Sequence, residues 1–361
     1  MSLDDFQALL RGFEGTGPQT PAFPDPRFDH LAVLSDPLGI WEHAEHTTPR
    51  AAHGFCTDDN ARALIVLCRD ATRSDELDQL AGSYLRFVLD ARVGDGTFHN
   101  RRREDGAWLD DVGSDDSQGR AWWALGVAAR RGRTPQMRLE AAAAFDDCGG
   151  FGSHHLRPNA FAILGVVELL DVTPGHVDAR ALLHRAVEPL TSAAATRIPW
   201  FEPRLTYDNA RLPEALLAAG ATLDDPSLVR RGLRLLTWLV EAETIDDHFS
   251  FAPAAGWAPG EPRPGFDQQP VEAVAMAEAC HRAWTITGQA VWRDRSLAAA
   301  RWFLGDNDTG DVLYDARTGG TRDGLMVGGV NQNQGAESTL AGLAALQVAA
   351  SGFDEPAETS P

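Results

Sequence analysis

One segment pattern is used six times along the chain. A cluster of Asp, Asn or Gln side chains is followed at once by an Ala/Leu/Val-rich stretch of helical length. The clusters are Thr57-Asp58-Asp59-Asn60-Ala61-Arg62, Ser114-Asp115-Asp116-Ser117-Gln118-Gly119, Arg157-Pro158-Asn159-Ala160, Tyr207-Asp208-Asn209-Ala210-Arg211, Asp267-Gln268-Gln269-Pro270 and Asn331-Gln332-Asn333-Gln334-Gly335-Ala336-Glu337. They recur about every 45–65 residues. A period of that size marks an array of hairpins, each unable to bury its apolar face alone.

A second kind of stretch lies between them. In 75–91, Leu77, Leu80, Ala81, Tyr84, Phe87, Val88 and Ala91 follow the i, i+3, i+4, i+7 spacing, with polar residues elsewhere. That pattern predicts a helix with one buried stripe and one wet face. Similar helices are predicted at 134–146, 177–193, 225–241 and 289–304. The polar-headed helices differ: Ala61 to Cys68 is apolar almost all round. Alternating fully buried and half-exposed helices fit two concentric rings. The expected fold is therefore an all-α (α/α)6 toroid, a single catalytic domain over 28–350. Residues 1–27 form a partly irregular N-terminal segment and 351–361 a tail. Leu3–Gly12 is the candidate for the first outer helix, ahead of Pro18, Pro21, Pro24 and Pro26.

The connections also repeat. Asp95-Gly96-Thr97-Phe98-His99 leads to Trp108, Asp247-His248-Phe249 leads to Trp257, and Asp311-Val312-Leu313-Tyr314 leads to Gly319-Gly320. Each reads as a short β-hairpin or loop at the mouth where the inner helices begin, and loops on a rigid scaffold are where binding groups gather.

Charge and composition exclude several functions. All 32 basic residues are Arg, so Schiff-base lysine and P-loop lysine chemistry are ruled out. A formal charge of −20 argues against nucleic-acid or anionic-membrane partners, which need a cationic surface. No apolar run has membrane-spanning length, and Met1-Ser2-Leu3-Asp4-Asp5-Phe6 lacks the pattern of a signal peptide. Cys56, Cys68, Cys148 and Cys280 are scattered, as expected of reduced, buried thiols in a cytoplasmic protein. His43 and His46 have no third ligand at fixed spacing, and no Gly-rich nucleotide loop occurs. No metal and no cofactor are expected.

The clusters place acids and amides at one end of the ring. Asp, Asn, Ser and Thr favour helix N-caps and acids suit the positive end of the dipole, so Thr57 and Ser114 read as caps. A cap uses one side chain, whereas Asp58-Asp59 and Asp115-Asp116 are doubled. Paired carboxylates in a polar, aromatic-lined pocket suit glycosidic bond cleavage, with one acid protonating the leaving oxygen and one carboxylate acting as base or nucleophile. Asp58, Asp59, Asp115, Asp116 and Glu337 are the expected catalytic residues. Expected substrate contacts are Trp41, His43, Asn60, Arg62, Gln118, His155, Asn159, Trp200, Glu202, Asp208, Asn209, Gln268, Gln269, Asn331 and Gln332.

The six polar-headed helices, the string Thr57-Asp58-Asp59-Asn60-Ala61-Arg62-Ala63-Leu64 and the string Gln334-Gly335-Ala336-Glu337-Ser338-Thr339-Leu340 together resemble six-hairpin glycosidases of the (α/α)6 toroid superfamily. Gly54-Phe55-Cys56-Thr57-Asp58-Asp59-Asn60-Ala61-Arg62-Ala63 is similar to toroid domains found alone or beside bacterial glycosyltransferases. The consecutive aspartates also resemble those of α-mannanase toroids, which implies catalytic roles for Asp58 and Asp59. The resemblance implies a glycoside hydrolase acting on an oligosaccharide or glycoconjugate, with a glycosyltransferase of the same pathway as a partner. Two alternatives stand beside it: a sugar epimerase or isomerase using histidines, and a non-catalytic carbohydrate-binding toroid.

Overall fold

The computed structural model describes residues 22–72, 74–94, 96–192 and 199–351. Leu3–Gly12, Asp95 and the tail beyond Ser351 lie outside the described residues. Twelve α-helices run through the described chain: α1 (Asp29–Val33), α2 (Thr57–Arg69), α3 (Asp75–Asp90), α4 (Asp115–Arg131), α5 (Pro135–Ala143), α6 (Leu156–Val172), α7 (Val177–Ser192), α8 (Arg211–Thr222), α9 (Pro226–Ala242), α10 (Pro270–Thr287), α11 (Ala290–Arg301) and α12 (Ala336–Ala350). The even-numbered helices form the inner ring. Each packs on the next, and α12 packs on α2 to close the circle. Outer helices α3, α5, α7, α9 and α11 lie against the inner helix that precedes them, and the short α1 lies against α12. The architecture is an (α/α)6 toroid.

Burial follows the two predicted patterns. From Arg157 to Leu170 every residue of α6 is buried, and from Pro270 to Cys280 every residue of α10. In α3 the buried set is Leu77, Ala81, Tyr84, Leu85, Phe87 and Val88, a single stripe. Three outer helices start on side-chain caps: Ser74 accepts from Leu77 N–H, Thr134 from Met137 N–H, and Asp225 from Ser227 and Leu228 N–H. Each cap satisfies amides that have no intrahelical partner. The predicted 134–146 helix ends as α at Ala143 and continues as a 3-10 segment over Ala144–Gly150. The closest inner-helix contact depends on glycine. A Cβ on Gly126 of α4 would sit 1.9 Å from the Gly165 carbonyl oxygen of α6.

Among the described residues, strand is confined to two-residue antiparallel pairs at the inner-helix N-terminal end, the mouth: β1 (Ser35–Asp36) with β2 (Gly39–Ile40), β3 (Ala44–Glu45) with β4 (Thr48–Pro49), β5 (Phe55–Cys56) with β6 (Arg101–Arg102), β7 (Thr244–Ile245) with β8 (His248–Phe249), and β9 (Leu325–Met326) with β10 (Gly329–Val330). The first and last parts of the chain meet there. Gln334 N–H donates to His46 O at 2.8 Å and Ala336 N–H to Glu42 O at 3.1 Å. All four cysteines are free and buried. No helix among the described residues is long and apolar enough to cross a membrane.

Candidate functional site

Five of the six cluster heads contain a buried amide that pins a loop. Asn60 accepts from Ile40 N–H and donates to Cys56 O. Gln118 bonds both N–H and O of Phe98. Asn159 donates to the carbonyls of Ser153 and His155. Asn209 accepts from Thr206 N–H and donates to Glu272, while Gln268 accepts from Phe251 N–H and Trp302 Nε1. The structure thus places the expected contacts Asn60, Gln118, Asn159, Asn209 and Gln268 in the scaffold of the mouth, where each satisfies backbone that irregular loops would otherwise leave unpaired.

The acids between these amides gather with arginines. The buried Asp59 accepts from Arg62 Nη1 at 2.7 Å and from the Cys56 thiol at 3.2 Å. The other end of the same guanidinium bonds Glu337 at 2.7 Å. Next to this triad, the buried Arg120 bonds Asp58 at 3.2 Å and Asp208 at 3.0 Å, with Asp116 at 4.0 Å. Tyr207 donates its hydroxyl to Asp116 at 2.7 Å. Heads of α2, α4, α8 and α12 therefore converge. Asp58, Asp116 and Glu337 keep part of their carboxylates open to solvent, and the guanidiniums of Arg62 and Arg120 lie between the acids.

Electrostatics follow burial. Asp59 is pushed up to about 7 by desolvation, opposed by Arg62 and reinforced by the Glu337 and Glu42 carboxylates. Burial also raises Asp116, against the pull of Arg120 and the Tyr207 hydroxyl. Burial and the Asp116 carboxylate raise the Tyr207 phenol, so it stays a donor.

Other expected residues lie outside this cluster. Asp115 is exposed and accepts from the Ser153 hydroxyl. Glu202 is held bidentate by Arg157 at 3.0 and 2.9 Å. Trp200 is 3% exposed and packs on Trp238, which leaves it no sugar-facing surface. Trp41 is half-buried, stacked on Phe55. His43 is exposed on the rim with His53 at 3.1 Å, and His155 is exposed just before α6. Gln269 is half-buried at the start of α10; Asn331 and Gln332 brace their own loop through Asn333 N–H and Arg322. Thr57 is not the cap its sequence suggests: it lies inside α2 and donates to His99 O, because β5 carries Cys56 in extended form up to the helix start. Ser114 does cap α4.

Sequence reasoning missed Arg120, Tyr207, Arg211, which lies between Asp208, Glu214 and Glu278, and Glu272. The first and third had a signal. Asp59 and Arg62, Asp208 and Arg211, and Asp116 and Arg120 repeat an acid with an arginine one helical turn later, a spacing that places both on one face. Glu272 had none, since its partners Asp208 and Asn209 come from the turn before α8.

Among the described residues, Glu42, Cys56 and Asp59 are the one set whose donor atoms converge closely enough for a metal, within 4.8 Å. Each already has a protein partner: Arg101 for Glu42, Asp59 for Cys56 and Arg62 for Asp59. The mouth cluster borders a small axial cavity of about 40 Å³. A larger cavity of about 730 Å³ opens at the opposite end, lined by Arg69, Arg130, Arg131, Glu168, Glu278 and His281. Its ions are mutually paired, Arg69 with Glu278 and Arg130 with Glu168, at the end where inner-helix carbonyls favour cations.

No family model and no curated protein matches the sequence. Solved structures do share the fold. A sugar epimerase from a ruminal bacterium is similar with a TM-score of 0.69 and 12% identity, over 91% of this chain and 96% of that one. A cellobiose 2-epimerase from Bacillus thermoamylovorans gives 0.68 and 11%, over 96% and 97%. An α-mannanase from Bacteroides thetaiotaomicron gives 0.59 and 11%, over 89% and 93%. The protein is an all-α toroid of the fold found in sugar epimerases, isomerases and glycosidases.

Proposed function

We propose that the protein is a carbohydrate-active enzyme that epimerises or isomerises a sugar by moving a proton at the carbon beside its carbonyl. The observation that carries this reading is the pair of guanidiniums among the open acids: Arg62 between Asp59 and Glu337, and Arg120 between Asp58 and Asp208. Proton abstraction next to a carbonyl builds negative charge on oxygen, and fixed cationic donors stabilise that charge. Glycosidic cleavage passes through an oxocarbenium-like, cationic state, which the same guanidiniums oppose.

In this reading Glu337 is the base. It takes the C–H proton, the electron pair moves into an enediolate, and Arg62 donates to the resulting oxyanion. Return of a proton to the same carbon from the opposite side, by protonated Asp116, gives the epimer; return to the neighbouring carbon, with the hydroxyl proton passing between the two oxygens, gives the isomer, and solvent exchange restores both carboxyls. Asp59, behind Arg62, sets how strongly that guanidinium is held. The acid–base groups are then carboxylates, since the expected histidines His43, His46 and His155 are exposed and none of them joins the acid cluster. The epimerases that share the fold support the same class of reaction.

Hydrolysis is the second reading. It is favoured by open carboxylates on both sides of the mouth, Asp58 and Asp116 on α2 and α4 and Glu337 on α12. One experiment separates the two. Mono- and disaccharides, D-mannose and cellobiose first, are incubated with the protein in D2O and followed by NMR. An epimer with solvent deuterium at C2, or a ketose with it at C1, and no chain shortening, is the expected result. Shorter sugars without deuterium at C2 overturn it in favour of hydrolysis, and binding with neither product favours a non-catalytic toroid.

A further inference from the structure

Tyr207 is exposed to 39%, yet its hydroxyl, its ring and its carbonyl all have partners. Its hydroxyl is fixed on Asp116 at 2.7 Å. The Arg157 guanidinium lies over its ring at 4.6 Å, and Arg157 Nε donates to the Tyr207 carbonyl. Arg157 is itself clamped by both Glu202 oxygens and by Asn209 Oδ1 at 3.2 Å. The following residue, Asp208, takes a left-handed backbone with φ 52°. That turn is fastened from below by Glu272 of α10, which accepts from Asp208 N–H, from Asn209 N–H at 3.1 Å and from Asn209 Nδ2 at 2.9 Å.

Strained non-glycine backbone persists only where surrounding bonds over-determine it, and such places cluster at functional sites. Here a buried carboxylate, a bidentate ion pair and a left-handed residue all fix one exposed aromatic ring beside the open acids. Packing does not explain this, because an exposed ring contributes little to a core. We propose that Tyr207 is a substrate-contacting residue of the mouth: its open ring face receives the C–H face of a sugar, and its hydroxyl aims the Asp116 carboxylate at that sugar. This takes the place of the stacking surface that Trp200, buried on Trp238, does not offer. The inference rests on the carbohydrate reading above and adds to it the side from which the sugar is bound.

The chain has three tyrosines, and Tyr84 and Tyr314 are buried. In protein labelled with 3-fluorotyrosine, Tyr207 is therefore the one fluorine reporter open to ligand. Cellobiose, D-mannose and a panel of gluco-, manno- and galacto-oligosaccharides are titrated, with binding followed in parallel by calorimetry. One fluorine resonance should shift saturably, and it should be missing from Tyr207→Phe. Tyr207→Phe, which keeps the ring, should bind within about threefold of wild type but turn over more slowly. Tyr207→Ala should bind about tenfold more weakly. Tyr207→Leu serves in its place if the alanine variant is unfolded. Sugar binding with no fluorine shift, or with full affinity in the alanine or leucine variant, overturns the role of Tyr207 and leaves the carbohydrate reading standing. Absence of calorimetric binding for every sugar overturns the carbohydrate reading, and this inference with it.

Discussion

Arg62 of α2 bonds Glu337 of α12 at 2.7 Å, across the seam where the last inner helix meets the first. The same guanidinium holds Asp59 within its own helix at 2.7 Å. One side chain thus joins ring closure to the acid cluster, and its charge opposes the burial that lifts the Asp59 carboxyl.

Removing that charge should cost stability in a pH-dependent way. Arg62→Gln leaves Asp59 buried and unpaired beside Glu337, and breaking such a pair from one side costs about 3 kcal/mol or more. Arg62 lowers the Asp59 pKa, so without it Asp59 rises further above 7 and stays protonated to higher pH. The loss measured by denaturant unfolding should be larger at pH 8 than at pH 5. An equal loss at both pH values would show that Asp59 is not the group being uncompensated.

The open acids should separate from the outward one in turnover. Glu337→Gln and Asp116→Asn each remove a proton carrier and should slow the reaction by roughly 10²–10⁴-fold with the melting temperature nearly unchanged. Asp115→Asn, at an exposed position bonded to Ser153, should stay within about twofold of wild type on the same criterion. Turnover of Glu337→Gln at the wild-type rate would defeat its assignment as base.

Stability should decline from mildly acid to alkaline pH. Burial lifts Glu243 to about 8, reinforced by Glu272, and lifts Glu272 to about 7, reinforced by Asp208. A carboxyl with a folded-state pKa above its unfolded value binds its proton more tightly when folded. Its contribution is full below about pH 4.5 and is lost as pH rises through 7 and 8. Glu278 and Asp315, both held near 2, act the other way and matter only as pH falls below about 4. Thermal melts from pH 5 to 9 should therefore fall with pH, and Glu243→Gln should flatten the curve and melt higher than wild type at pH 8.5. A wild-type melt that rises over this range would contradict the buried, mutually repelling pair.

The cluster amides should behave as structure. Gln268→Leu strands the Phe251 N–H and the Trp302 indole N–H, both buried, and should cost about 2–4 kcal/mol in unfolding free energy. An unchanged unfolding free energy would return Gln268 to the list of groups free to bind substrate.

The two rings are legible in the order of the residues. An apolar stripe such as Leu77, Ala81, Tyr84 and Val88 can be buried on one side only, whereas Ala61 to Cys68 must be covered all round, so periodicity alone orders the helices as outer and inner. It also put the acids at one end, because Asp and Asn at inner-helix starts are visible as local strings. Which of those polar groups hold the scaffold and which face solvent was decided by tertiary structure. Asn60 and Gln118 turn to backbone amides brought by loops about twenty residues upstream, while Asp58 and Asp116 turn to Arg120. Partners such as Glu272 for Asp208, or Arg62 for Glu337, come from helices far away along the chain. A side chain's hydrogen-bonding role depends on what is nearest in space, and closing a ring makes distant segments nearest neighbours, a relation that no local pattern of residues contains.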